Sequence, residues 1–414
     1  MAVTPEIQKY GGIAIVCSLL VVVSVASPRF FATKYDVDVN TAAPIAARAD
    51  VADVSALPPV VHLPTPDPLK AIYMSQCVVG TKSFREKLVK IADDTEVNAI
   101  VIDIKDYTGK LSFDVTDPQL TAAISDQCGT SDMREFIQTL HDKGIYVIGR
   151  VTVFQDPFMV KKRPDWGVQS KSTGTVWKDF KGLSFIEVGA REYWDYVVAI
   201  AHEAYNVGFD EVNFDYIRFP SDGNMDDVLY AHSIGKTKPQ ALEEFFAYLH
   251  DKLKDTGLVT SADLFGMTTT NTDDLNIGQV LERALPYFDY IAPMVYPSHY
   301  PKNFNGWANP NNHIYEIVHM SMERAVERAN ALDARIGVQE AVSTSTPPLP
   351  PLPSWYTGGS AHKLRTWIQD FDYGGNYDIP EIQAQIQASY DAGVDSWMIW
   401  SPSNKYTIGA LKAE

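Results

Sequence analysis

Three times in this chain a helical pattern ends on the same joint: His-Asp-Lys-Gly-Ile-Tyr at 141–146, Tyr-Asn-Val-Gly-Phe-Asp at 205–210 and Tyr-Asp-Ala-Gly-Val-Asp at 390–395. In each, glycine stands where a left-handed residue would end a helix, and an apolar run of strand character follows at once. Strands linked through helices run parallel, because antiparallel neighbours need only a short turn. Reading strands between the amphipathic segments gives 71–77, 99–104, 145–151, 211–215, 259–265, 290–296, 364–370 and 396–400. The same count suits an open doubly wound sheet. No glycine-rich phosphate turn follows the first strand, however, and polar residues are spread over many strand ends. The expected fold is therefore α/β, a (β/α)8 TIM barrel.

Upstream of this pattern, residues 10–28 carry no charge, with an apolar core from Ile13 to Ala26, Lys9 before it and Arg29 and Lys34 after. The stretch is short for a transmembrane helix and long for the apolar part of a signal peptide. We read residues 1–31 as an uncleaved signal-anchor in preference to a signal peptide cleaved after Ser24-Val25-Ala26. Either reading puts the domain outside the cytoplasm, membrane-anchored or secreted. Residues 32–69, rich in Ala, Val, Pro and Asp, read as a disordered linker. Residues 70–414 read as the barrel, with a Pro-rich loop insertion at 343–353. Of the three cysteines, Cys17 lies in the apolar segment. Cys77 and Cys128 either pair, as an oxidising compartment permits, or stay two separate buried thiols.

With 52 acidic against 35 basic side chains the net charge is −17. No basic stripe exists to neutralise phosphates, which argues against a nucleic-acid partner. The histidines show no metal-ligand spacing, and no nucleophile elbow or phosphate loop occurs, so neither metal nor cofactor is expected. In a barrel the chemistry sits at the C-terminal ends of the strands. The run Gly208-Phe-Asp-Glu-Val-Asn-Phe-Asp-Tyr-Ile-Arg-Phe-Pro220 reads as such a strand. Alternation sets Glu211, Asn213 and Asp215 on one face, with Arg218 just beyond. The other strand ends add Asp103, Lys105, Arg150, Asp263, Tyr296, His299, Gln369, Asp370 and Trp400.

Acids, amides and aromatics in one mouth suit a sugar. Aromatic rings stack on pyranose faces, amides and carboxylates hold hydroxyls, and two carboxylates cleave. One protonates the leaving oxygen while the other attacks or activates water. Asp215 and Asp263, on neighbouring strands, are the expected pair: Asp215 as nucleophile or base, Asp263 as general acid. The remaining residues would contact a polysaccharide or oligosaccharide. Each has a plainer reading too: Asp215 as an ion-pair partner, Asp263 as a turn cap, Lys105 as a partner of Asp103 and Trp400 as core. A barrel that binds glycans without cleaving them, or a transglycosylase, would use the same mouth.

Five stretches carry a family resemblance: Val-Ile-Asp-Ile-Lys-Asp (101–106), Gly-Ile-Tyr-Val-Ile-Gly-Arg-Val (144–151), the run 208–220, Asp-Tyr-Ile-Ala-Pro-Met-Val-Tyr-Pro-Ser-His-Tyr (289–300) and Trp-Ile-Gln-Asp-Phe (367–371). On these the chain resembles a bacterial family of glycosyl-hydrolase-like domains with an eight-stranded barrel, itself distantly similar to the α-amylase superfamily. That resemblance implies a nucleophilic Asp on the fourth strand, which falls on Asp215. The sequence departs from the superfamily at two places. Asn213 stands where an arginine is usual, two residues before the nucleophile, and Asp263 stands where the fifth strand usually brings Glu.

Overall fold

The computed structural model describes residues 60–337 and 348–413. Eight parallel strands close into a barrel: β1 (Lys70–Met74), β2 (Ala99–Lys105), β3 (Tyr146–Thr152), β4 (Glu211–Asp215), β5 (Val259–Phe265), β6 (Tyr290–Met294), β7 (Thr366–Gln369) and β8 (Trp397–Trp400). Each pairs with its sequence neighbours, and β8 pairs with β1. The crossover helices are α1 (Lys82–Asp94), α2 (Met133–His141), α3 (Arg191–Val207), α4 (Lys238–Leu253), the single turn α5 (Leu281–Ala284), α6 (Ile314–Asp333) and α7 (Ile379–Asp391). After β8 the described chain makes only a short turn, Ile408–Ala410, and bridges Ala413 to Thr95.

The three repeated joints are one device. Gly144, Gly208 and Gly393 all have positive φ, at 74°, 126° and 84°. In each copy the next amide donates to a carbonyl in the last helical turn: Ile145 to Leu140, Phe209 to Ala204 and Val394 to Ser389. That bond ends the helix and turns the chain straight into the following strand. Alternation along the strands then makes two cores. Ile100, Val147, Val212 and Ile399 point outward against the helices. Ala71, Val101, Ile148, Trp367 and Met398 fill the interior.

The strands are shorter than the sequence suggests at several mouth ends. The first stops at Met74, and Cys77 lies in a short helix, Gln76–Val79. The apolar run continues because Val78 and Val79 remain buried as that loop folds back over the core, so hydrophobicity outlasts the ladder. Cys77 and Cys128 are joined by a disulfide, with Cα atoms 4.5 Å apart.

Packing also begins upstream of β1. The Leu63 amide donates to Asp210 Oδ1 at 2.8 Å, Thr65 Oγ1 bonds the Tyr146 hydroxyl at 3.1 Å, and His62 stacks on Tyr205. Residues 60–69, read from sequence as the end of a disordered linker, thus cross the floor of the barrel beneath β3 and β4. The expected signal-anchor at 1–31 and the linker up to 59 lie outside the described residues. Among those described, no helix is long and apolar enough to cross a membrane. In the expected Pro-rich insertion, residues 348–353 run irregularly along the helical layer, with the Pro348 carbonyl accepting from Arg283 at 2.7 Å.

Candidate active site

The inward positions of five consecutive strands bring Tyr73, Asp103, Arg150, Asp215 and Asp263 to the C-terminal mouth. Arg150 is the centre of the group. Its Nη1 donates to Asp103 Oδ1 at 2.6 Å, and its Nε and Nη2 both reach Asp215 Oδ2, Nε at 3.1 Å. The same Nε lies 3.9 Å from Asp263 Oδ2. All four side chains are buried. The second Asp215 oxygen accepts the backbone N–H of Tyr216 at 2.5 Å, a residue held at φ 52° as the chain leaves β4.

Asp263 is held asymmetrically. Its Oδ1 accepts from Asn213 Nδ2 at 2.9 Å and from Trp367 Nε1 at 2.7 Å, and Asn213 also donates to Ser261. Oδ2 is left facing Arg150. Because the Arg150 Nε lies 3.1 Å from Asp215 Oδ2 and 3.9 Å from Asp263 Oδ2, these oxygens are at most about 7 Å apart, closer than the widest inverting pairs of about 9.5 Å. Asn213 brings no cation beside Asp215, and the guanidinium that reaches both acids comes from Arg150 on β3.

Burial, then the neighbouring Asp215 charge, pushes the Asp263 carboxyl well above the ordinary carboxylate range; Arg150, Asn213 and Trp367 offset only part of this. With Oδ1 saturated by two donors, the proton belongs on Oδ2. Burial also raises Asp103 to about 6, against the pull of Arg150 and Tyr73. Burial works against the Arg150 charge too, but Asp103 and Asp215 outweigh it and keep the guanidinium protonated. Two neighbouring carboxyls with contrasting surroundings, one tied to a cation and one whose pKa burial raises, are the arrangement acid–base chemistry requires.

The other expected site residues divide into three groups. Tyr296 and Trp400 join the mouth. Tyr296 is buried beside Asp263 and Asp215, which together with burial keep its hydroxyl protonated. Trp400 packs on Tyr73, with ring centres 4.0 Å apart, and its face lies under the Arg150 guanidinium. Arg218, His299 and Gln369 stand at the rim. Arg218 lies over the rings of Tyr216 and Phe265. His299 sits among Tyr296, Phe371 and Tyr373, and burial lowers its pKa. Gln369 accepts from Ser298 Oγ at 2.7 Å.

Lys105 and Asp370 are placed elsewhere. Lys105 is fully buried, paired with Asp156 at 2.9 Å and bonded to the Thr152 carbonyl at 2.6 Å. The register of β2 against β3 shifts between Asp103 and Lys105, which carries Lys105 out of the mouth layer and away from Asp103. Asp370 clasps the Thr407 amide and hydroxyl at 2.7 and 2.8 Å. Both are held by these internal partners rather than by the Arg150 group. Sequence reasoning passed over Tyr73, Ser261 and Trp367. The available signal was alternation: each lies an even number of residues from another inward position of its strand. Among the described residues no cluster of His, Cys, Asp and Glu is arranged to hold a metal ion.

Comparison with known proteins gives the chain a family and supports its fold. The model of one family, described as "Putative glycosyl hydrolase domain", matches residues 71–341 and 354–406. A hypothetical protein from Ruminiclostridium thermocellum is 34% identical over 46% of this chain and 96% of its own, with a TM-score of 0.42. The glycoside hydrolase domain of PgaB (BpsB) from Bordetella bronchiseptica shares the fold at 12% identity and a TM-score of 0.55, over 83% of this chain and 99% of its own. No curated protein matches the sequence.

Proposed function

The chain belongs to this family of glycosyl hydrolase domains, and from that premise we propose that it hydrolyses a glycosidic bond in an extracytoplasmic or cell-envelope polysaccharide, with Asp215 and Asp263 as its two carboxylates. The observation that carries the proposal is the contrast between them: Asp215 accepts two hydrogen bonds from Arg150, while Asp263 is held through Oδ1 by Asn213 and Trp367, with Oδ2 3.9 Å from Arg150 and its pKa raised by burial. Asp263 protonates the leaving oxygen through Oδ2. Asp215 attacks the anomeric carbon or takes a proton from water, and the hydrogen bonds of Arg150 hold it in place. Tyr73, Tyr296 and Trp400 give the sugar ring apolar walls. The uncharged, apolar stretch at 10–28 supports a membrane tether with the barrel outside the cytoplasm.

The test is a polysaccharide panel incubated with the full chain and with Asp215→Asn. Product from the wild type that disappears in the variant is expected. No product from either, with a glycan bound equally by both, would move the reading to a glycan-binding barrel.

A further inference from the structure

Two loops at the mouth fold into one wall. Residues 163–187 follow β3 and 221–236 follow β4, and they are joined by an antiparallel pair, Gln169–Ser170 with Val228–Leu229. Asp227 accepts from Ser170 Oγ at 2.6 Å and from the Ser172 amide at 2.7 Å. Trp177 donates to the Asn224 carbonyl at 3.1 Å. Trp177, Phe185 and Val168 form a small core against which Tyr216 packs, the residue that follows Asp215. The wall is therefore continuous with the catalytic strand.

At its edge stands Phe180, 82% exposed. Its turn is fixed: Asp179 Oδ1 accepts the amides of Lys181 and Leu183 at 2.9 and 2.8 Å, and the Phe180 amide donates to the Asp222 carbonyl at 3.1 Å. A ring displayed on a fixed turn loses little entropy when it meets a ligand. The charge around it runs against that of the chain. Across the wall stand Lys161, Lys162, Arg163, Lys171, Lys178 and Lys181 against Asp165, Asp179, Asp222, Asp226 and Asp227, a small positive excess in a protein of net charge −17, with Asp227 bound to Ser170 and Ser172. Asp165 is paired with Arg163 at 2.6 Å, and Asp179 is occupied by the turn. Lys178 and Lys181 flank the ring and are exposed.

We propose that Phe180, with Lys178 and Lys181, forms an outer subsite for an anionic polysaccharide: the ring stacks on a sugar face while the ammonium groups hold its carboxylate, sulfate or phosphate. The inference deepens the hydrolase reading by naming an acidic glycan as the substrate class, and it rests on that reading only for the occupant being a glycan.

The test is affinity electrophoresis of the full chain, Phe180→Ala and Lys178→Glu/Lys181→Glu, in gels holding alginate, polygalacturonate or hyaluronan, with dextran as the neutral control. Retardation by at least one anionic glycan is expected, weakened about tenfold in either variant. It should be largely lost between about 20 mM and about 500 mM salt. No retardation of the wild type, equal retardation of the variants, equal retardation by dextran, or retention only by anionic lipid vesicles would each overturn the subsite. Because the readout is binding, the two readings fail separately. Phe180-dependent binding without hydrolysis on the panel would count against the hydrolase alone. Hydrolysis of neutral glycans with no anionic binding would count against the subsite alone.

Discussion

Arg150 Nε lies 3.1 Å from Asp215 and 3.9 Å from Asp263, so one guanidinium on β3 reaches both acids proposed to cleave. Asp215→Asn and Asp263→Asn should each lower kcat by about 10² to 10⁴-fold. The fold should persist by circular dichroism, because Asn keeps the shape of each side chain. Activity surviving in both would remove the assignment.

The Trp367 indole N–H stabilises the ionised form of Asp263. Trp367→Phe should therefore raise the Asp263 pKa further and move the alkaline limb of kcat/KM to higher pH. A limb that stays put would mean that Asp263 does not set it.

Replacing Arg150 by Met would leave Asp103 and Asp215 buried without their cation. A loss of about 3–5 kcal/mol in stability is expected, the scale for breaking one side of a buried ion pair. Urea unfolding measures it.

Lys105 predicts a different pattern from the mouth residues. Lys105→Met strands the fully buried Asp156 and should destabilise by a similar amount, about 3–5 kcal/mol. Folded protein should keep its KM, because the side chain faces the β2–β3 interior rather than a sugar. A large rise in KM with unchanged stability would return Lys105 to the substrate site.

Asp103 gives a stability prediction with a definite sign. Its ordinary value is 3.8 and its folded value about 6, so the folded state holds this proton more tightly than the unfolded chain. The resulting stabilisation is complete below pH 3.8 and is lost as pH rises to about 6, about 3 kcal/mol in total. Asp103→Asn should remove that part of the decline in a pH series of unfolding curves, leaving the share due to Asp263.

The barrel was legible because its signals are local. Glycine joints fix helix ends, and period-two alternation fixes which face of a strand turns inward, so Asp103, Arg150, Asp215 and Asp263 could be read together at the mouth. Lys105 could not be placed, because the register shift that turns it aside arises between two strands and leaves no mark on either sequence alone. Asp370 failed for a related reason: its partner, Thr407, lies 37 residues away, and nothing in the residues around 370 announces it. The pairing of Cys77 with Cys128 likewise depended on two mouth loops meeting. Asn213 brings no cation beside Asp215, and the guanidinium bonded to Asp215 comes from Arg150 on the adjacent strand.

The floor segment has a practical consequence. Residues 60–69 enter beneath β3 and β4, and Ala413 bridges Thr95 in the turn between α1 and β2. The described chain therefore both begins and ends at the pole opposite the mouth. A fusion made at residue 60 or directly after Ala413 would start from that pole, on the far side of the barrel from the acids.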